Sequence, residues 1–106
     1  MSYRFMRLIV FFDLPVETSA QQREYRQFRK FLVRNGFVMM QESVYSKIVL
    51  NPTAAAAVQE NVRKHKTSGG LIEMMLVTER QFERIEIVVG EPQSEVVDRD
   101  DKLVIL

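Results

Sequence analysis

A 106-residue chain without cysteine holds one domain with a single core, and it excludes a disulfide frame, a thiolate metal site and a cysteine nucleophile. Its 46% hydrophobic and 27% charged residues are ordinary for a globular protein, no apolar run approaches the roughly 20 residues that span a bilayer, and no secretory leader pattern opens the chain, so a cytoplasmic protein is expected. The net charge of +1 hides a division: residues 1–70 carry eleven Lys/Arg and five Asp/Glu, residues 71–106 carry four and nine, so the front two-thirds suits a polyanionic partner and the back third does not.

The run from Leu8 to Phe12 is apolar on both alternating faces, the pattern of a central strand covered on both sides. Asp13 ends it. Pro15 then stops the ladder, because it has no backbone N–H to donate and biases Leu14 toward extended geometry. A carboxylate at the tip of a rigid strand is the first place to expect metal chemistry. The plainer expectation is that Asp13 accepts hydrogen bonds from backbone amides of the following turn.

Ser19 and Gln22 have capping-box spacing, so a helix is expected from Ser19 to Asn35-Gly36, where glycine supplies a left-handed stop. Tyr25, Phe28, Phe31, Leu32 and Val33 fall toward its inner side. Arg23, Arg26, Lys30 and Arg34 recur at i, i+3, i+7 and i+11, one stripe along another side, with Arg29 beside it. Five basic residues face Glu24 alone in this segment, whereas a merely solvated face mixes both signs. Eleven helical residues rise about 16 Å, comparable with about five base-pair steps of a duplex, so the row has the length to track a phosphate backbone.

Phe37 to Gln41 reads as a short strand and Ser43 to Leu50 as a longer one; with no Asn-Gly or Gly-Gly between them, they form either a tight hairpin or one bent ribbon. Asn51-Pro52 starts a second helix running to Lys66, with Ala54, Val58 and Val62 inward and Thr67 to Gly70 as its end. Arg63, Lys64 and Lys66 sit where the helix dipole favours cations anyway, and His65, the only histidine, reads there as a surface residue rather than an acid or base. Leu71 to Val77 is a further strand. Thr78 and Gln81 repeat the capping spacing, so a short helix over Glu79 to Arg84 and a strand over Ile85 to Val89 should follow. A polar, acidic loop and an apolar end at Leu103 to Leu106 close the chain.

Strand, helix, strand, strand, helix, strand is the split βαβ, or ferredoxin-like, arrangement, an α+β fold. Residues 1–89 form that domain, and residues 90–106 form an acidic loop with an extra C-terminal strand that extends a sheet. Two helices cover one face of the sheet, which leaves the other for a second copy; a two-fold, sheet-to-sheet homodimer is expected. Glu73, Glu79, Glu83, Glu86, Asp98, Asp100 and Asp101 show no metal-ligand spacing and read as solvated, and Tyr3, Phe5, Met39-Met40 and Met74-Met75 read as packing. No Gly-rich phosphate loop and no His/Asp/Ser set is present.

The strand ending in Asp13, the helix pattern Tyr25-Arg26-Gln27-Phe28-Arg29-Lys30-Phe31-Leu32, then Gly36-Phe37 and Gln41-Glu42-Ser43-Val44-Tyr45, resemble CRISPR-associated protein two, the small non-integrase subunit of spacer acquisition. The resemblance runs from Tyr3 to about Val89, and the Met-Ser-Tyr-Arg opening is similar to members that accompany the single-effector, type II systems. It implies a ferredoxin-like homodimer that lies between two dimers of the integrase subunit and holds duplex prespacer DNA on a basic face, here Arg23, Arg26, Lys30 and Arg34. It also implies a magnesium-dependent endonuclease on RNA or duplex DNA, with Asp13 as metal ligand and catalytic residue; the two-fold axis would bring both copies of Asp13 to one magnesium ion. The acidic segment from Glu91 to Asp101 is then expected to dock on the integrase partner. A ferredoxin-like RNA-binding or small-ligand regulatory module ranks last, because the third long strand lacks the Lys/Arg-Gly-aromatic signature with which such readers stack bases.

Overall fold

The computed structural model describes residues 5–65 and 67–92 as four strands and three helices. They follow in the order β1 (Met6–Asp13), α1 (Ser19–Arg34), β2 (Val38–Gln41), β3 (Val44–Val49), α2 (Pro52–Lys64), β4 (Leu71–Thr78) and α3 (Glu79–Phe82). The sheet order is β2-β3-β1-β4 with every neighbouring pair antiparallel, which is the ferredoxin-like topology expected. β1 lies in the interior of the sheet because each half of the chain folds back beside it.

Side chains alternate across a strand, so the register of β1 sorts its residues onto two faces. Leu8, Val10 and Phe12 turn toward the helices and join Phe28, Leu32, Tyr45 and Val62 in one buried cluster. Phe12 holds its centre, with its ring 5.1 Å from that of Phe28 in an edge-to-face contact at 81°. Arg7, Ile9, Phe11 and Asp13 occupy the opposite face. There, part of the cover comes from the chain itself: Arg7 donates two hydrogen bonds of 2.9 Å to the Glu79 carboxylate and lays its guanidinium 4.1 Å over the ring of Phe82, clasping α3 onto β1. Beyond that clasp, Ile48, Leu71 and Met75 remain exposed on the same face.

Local chemistry moved several boundaries. The N-cap of α1 is Thr18, not Ser19: its hydroxyl accepts from the Gln21 N–H at 3.1 Å while the Gln21 side chain accepts from the Thr18 N–H at 3.0 Å. Ser19 is already the first helical residue, and the Gln22 side-chain N–H donates backward to the Val16 carbonyl at 3.1 Å. Val33 points outward and is 50% exposed, because Phe28 and Leu32 already define the buried line of the helix. α2 ends at Lys64 rather than Lys66, and Ala55, not singled out from the sequence, is fully buried beside Val62.

β2 and β3 form a tight hairpin through Glu42-Ser43, in which Ser43 takes a left-handed φ of 70°. Met40 is the extra residue of a bulge, where the register slips between Met39 and Gln41. α3 stops at Phe82, and residues 85–89 are not a strand: they run irregularly, with Val88 and Val89 over 80% exposed and no ladder partner among the described residues. A groove of about 1050 Å³ separates this stretch from β2 and β3. The strand expected at Leu103 to Leu106, and most of the acidic loop, lie outside the described residues. No described helix is long and apolar enough to cross a membrane.

Candidate functional site

Two segments of the chain converge on the tip of β1. The Phe12 N–H donates to the Ser43 carbonyl at 3.0 Å, pinning the hairpin turn against it. From the other side Gly70, at φ +87°, brings the start of β4 so close that a Cβ there would stand 2.7 Å from the Asp13 carbonyl oxygen and 2.7 Å from Leu14 Cδ2. Only glycine fits that approach and that backbone.

Asp13 is held rigidly by its backbone while its carboxylate is exposed and makes no hydrogen bond or ion pair with any described residue. The expected bonds to amides of the following turn do not form, and Pro15 has no N–H to offer. A recess of about 170 Å³ opens beside it, lined by Phe11, Asp13, Ser43, Val44, Leu71 and Glu73.

Glu73 is the site residue that sequence reasoning missed. β1 pairs with β4 so that Phe11 faces Glu73 and Asp13 faces Leu71, which puts the two carboxylates on one face, one diagonal step apart. Such neighbours stand roughly 7–8 Å apart. The signal was present only as strand alternation, and it needed the pairing register to be read. No group of three or more His, Cys, Asp or Glu suited to a metal occurs among the described residues. Magnesium does not require one: it keeps several waters and takes one or two carboxylates plus phosphate oxygens. An unpartnered hard-oxygen ligand at a rigid strand end fits that habit.

The predicted basic stripe forms as expected. Arg23, Arg26, Lys30 and Arg34 are all exposed along α1, and none is paired with a described acidic side chain. The single acid of the helix does not neutralise them. Glu24 has Ala20, Gln21, Gln27 and Phe28 at its helical neighbour positions, and its carboxylate instead accepts from the Ser68 hydroxyl at 2.9 Å and the Ser68 N–H at 3.3 Å. Arg29 has a different task. Its Nε donates to the phenol oxygen of buried Tyr45 at 2.8 Å, tying α1 to β3, and that hydrogen bond holds the guanidinium even more firmly protonated than usual.

Of the two cations in the last turn of α2, one is paired. Arg63 pairs with Glu60 at 2.7 Å. His65 is not the surface residue expected; it is half-buried, stacked on Phe31 with ring centroids 4.3 Å apart, and packs the end of α2 against α1.

Comparison with known proteins agrees with this geometry. Residues 6–85 match the family model for CRISPR associated protein Cas2. The chain is 46% identical to a CRISPR-associated endoribonuclease Cas2 of Treponema denticola, over 95% of this chain and all of that one. It is 41% identical to the protein of the same name from Streptococcus mutans serotype c, over 95% and 93% of the two chains. The crystal structure of Streptococcus pyogenes Cas2 at pH 6.5 superposes with a TM-score of 0.60 at 20% identity, over 78% of this chain and 99% of that one, a likeness of fold. The chain, with its ferredoxin-like sheet, basic α1 and aspartate-tipped β1, belongs to the CRISPR associated protein Cas2 family.

Proposed function

We propose that this protein is the homodimeric, duplex-binding scaffold of CRISPR adaptation, carrying prespacer DNA on α1 and bridging two dimers of the integrase subunit, which performs the strand transfer. The observation that carries the reading is the stripe of Arg23, Arg26, Lys30 and Arg34, four exposed cations of one sign whose only acidic neighbour on the helix is turned away toward Ser68. Cations left unpaired in the free protein have counterions to exchange for phosphates. Exposed Ile48, Leu71 and Met75 on the open sheet face support the second copy, since burying them needs a surface that one chain does not supply.

Binding by such a stripe releases counterions, so affinity for a duplex falls steeply with salt, with a slope of about −0.9 per phosphate neutralised. A quadruple Arg/Lys→Ala variant at these positions is expected to fold, because the side chains are exposed, and to flatten the slope by about 3–4 for each protomer engaged. An unchanged slope in the folded variant would remove this face from DNA binding.

A second reading is favoured by the state of Asp13. An exposed carboxylate without a hydrogen-bond partner, fixed at a strand end beside a recess, suits a magnesium-dependent endonuclease, and the relatives from Treponema denticola and Streptococcus mutans carry the name endoribonuclease. The metal, when bound, would polarise a phosphodiester oxygen and the attacking water; Asp13 of each protomer would hold it. Cleavage of RNA or DNA should be lost in Asp13→Ala and in chelator. Equal cleavage under either condition would separate Asp13 from the reaction.

A further inference from the structure

Hydrolysis of a phosphodiester needs a group that takes a proton from the attacking water, and a lone aspartate engaged with a metal is poorly placed to supply it. We propose that Glu73 is the general base of the Asp13 recess; the inference rests on the nuclease reading above. Among the described residues lining the recess, Asp13 and Glu73 are the only charged ones. Glu73 is exposed, and its carboxylate has no ion pair or hydrogen bond with a described residue.

The spacing suits the division of labour. Asp13 and Glu73 sit on hydrogen-bonded neighbouring strands, so the ladder fixes their separation, and a diagonal step of roughly 7–8 Å leaves room for one water and a phosphate oxygen between them. Ser43 closes a third side, its turn held in place by the Phe12 N–H. The other candidates for a base are either committed to partners or, like Glu17, Glu42, Glu83, Glu86 and Glu91, do not line the recess. Glu79 is clamped by Arg7, Glu60 by Arg63 and Glu24 by Ser68, while His65 is stacked on Phe31 on the helix side of the sheet.

In the step assigned to Glu73, its carboxylate accepts a proton from water as the water oxygen bonds to phosphorus. The bond from phosphorus to the leaving nucleoside oxygen breaks, and that oxygen takes a proton from solvent. The products are a phosphomonoester and a free hydroxyl, with no redox partner required.

The test is cleavage of a labelled single-stranded RNA and a labelled duplex DNA in magnesium buffer by wild type, Asp13→Asn, Glu73→Gln and Glu73→Asp. Glu73→Gln should lower kcat/KM by about 10²–10⁴-fold and flatten its rise with pH. Glu73→Asp should recover part of the rate, and both variants are compared with wild type at the same sedimentation behaviour, because Glu73 shares its sheet face with Leu71 and Met75. A wild type that cleaves, with Asp13→Asn inactive and Glu73→Gln at the wild-type rate and pH profile, overturns the assignment and leaves the nuclease reading standing. A wild type that cleaves neither substrate overturns both.

Discussion

At the scale of single residues, the site depends on two that carry no charge. Gly70 adopts a φ that costs an L-residue about 1–2 kcal/mol, and a Cβ would strike the Asp13 carbonyl and Leu14 as well. Gly70→Ala should therefore destabilise the protein by at least about 2 kcal/mol, which thermal melting would read as a fall of roughly 8 °C or more; a melting temperature within a degree of wild type would mean that the two chain ends do not press together. Tyr45 is the other: its phenol is buried, and Arg29 is the partner that satisfies it. Tyr45→Phe should cost about 1 kcal/mol, while leaving the salt slope of duplex binding intact, because Arg29 lies outside the stripe. Asp13 was legible from the sequence as a strand tip followed by Leu14-Pro15. Its lack of turn partners was not, since that depends on where residues 14 and 15 lead the chain.

At the scale of elements, propensity and capping signals located all seven described elements to within about two residues, while the strand expected over Ile85 to Val89 did not form. The failures have a common cause. Thr18-x-x-Gln21 and Ser19-x-x-Gln22 have the same spacing, and the extended backbone of Thr18 with its reciprocal bonds to Gln21 separates them. Thr18→Ala should thus cost about 1 kcal/mol of stability and Ser19→Ala nearly nothing, a difference that denaturant melts of the two variants would read directly. The Glu42-Ser43 hairpin lacks the usual glycine or asparagine, so a serine in left-handed geometry carried a turn that composition could not announce. Ile85 to Val89 has strand-forming side chains, but a strand also needs an edge to pair with, and periodicity does not report one. Glu73 was hidden for the same reason: its neighbour is across the ladder, not along the chain.

At the scale of the whole molecule, the two faces of the sheet have different fates. The helix face is closed by Phe28, Leu32, Tyr45 and Val62 around Phe12, and it presents α1 with its cations outward. The opposite face is held only in part by the Arg7–Glu79–Phe82 clasp, with Ile48, Leu71 and Met75 uncovered and the Asp13 recess at its end. Pairing two such faces would bury the apolar side chains, place two strand tips near one axis and leave a basic helix on each outer side. Sedimentation of the protein at micromolar concentration, alone and with a short duplex, tests that arrangement most directly. Twice the chain mass of 12.4 kDa in the free protein, and two chains on each bound duplex, is the predicted result; a 12.4 kDa species that persists at those concentrations and binds the duplex one chain at a time would contradict it.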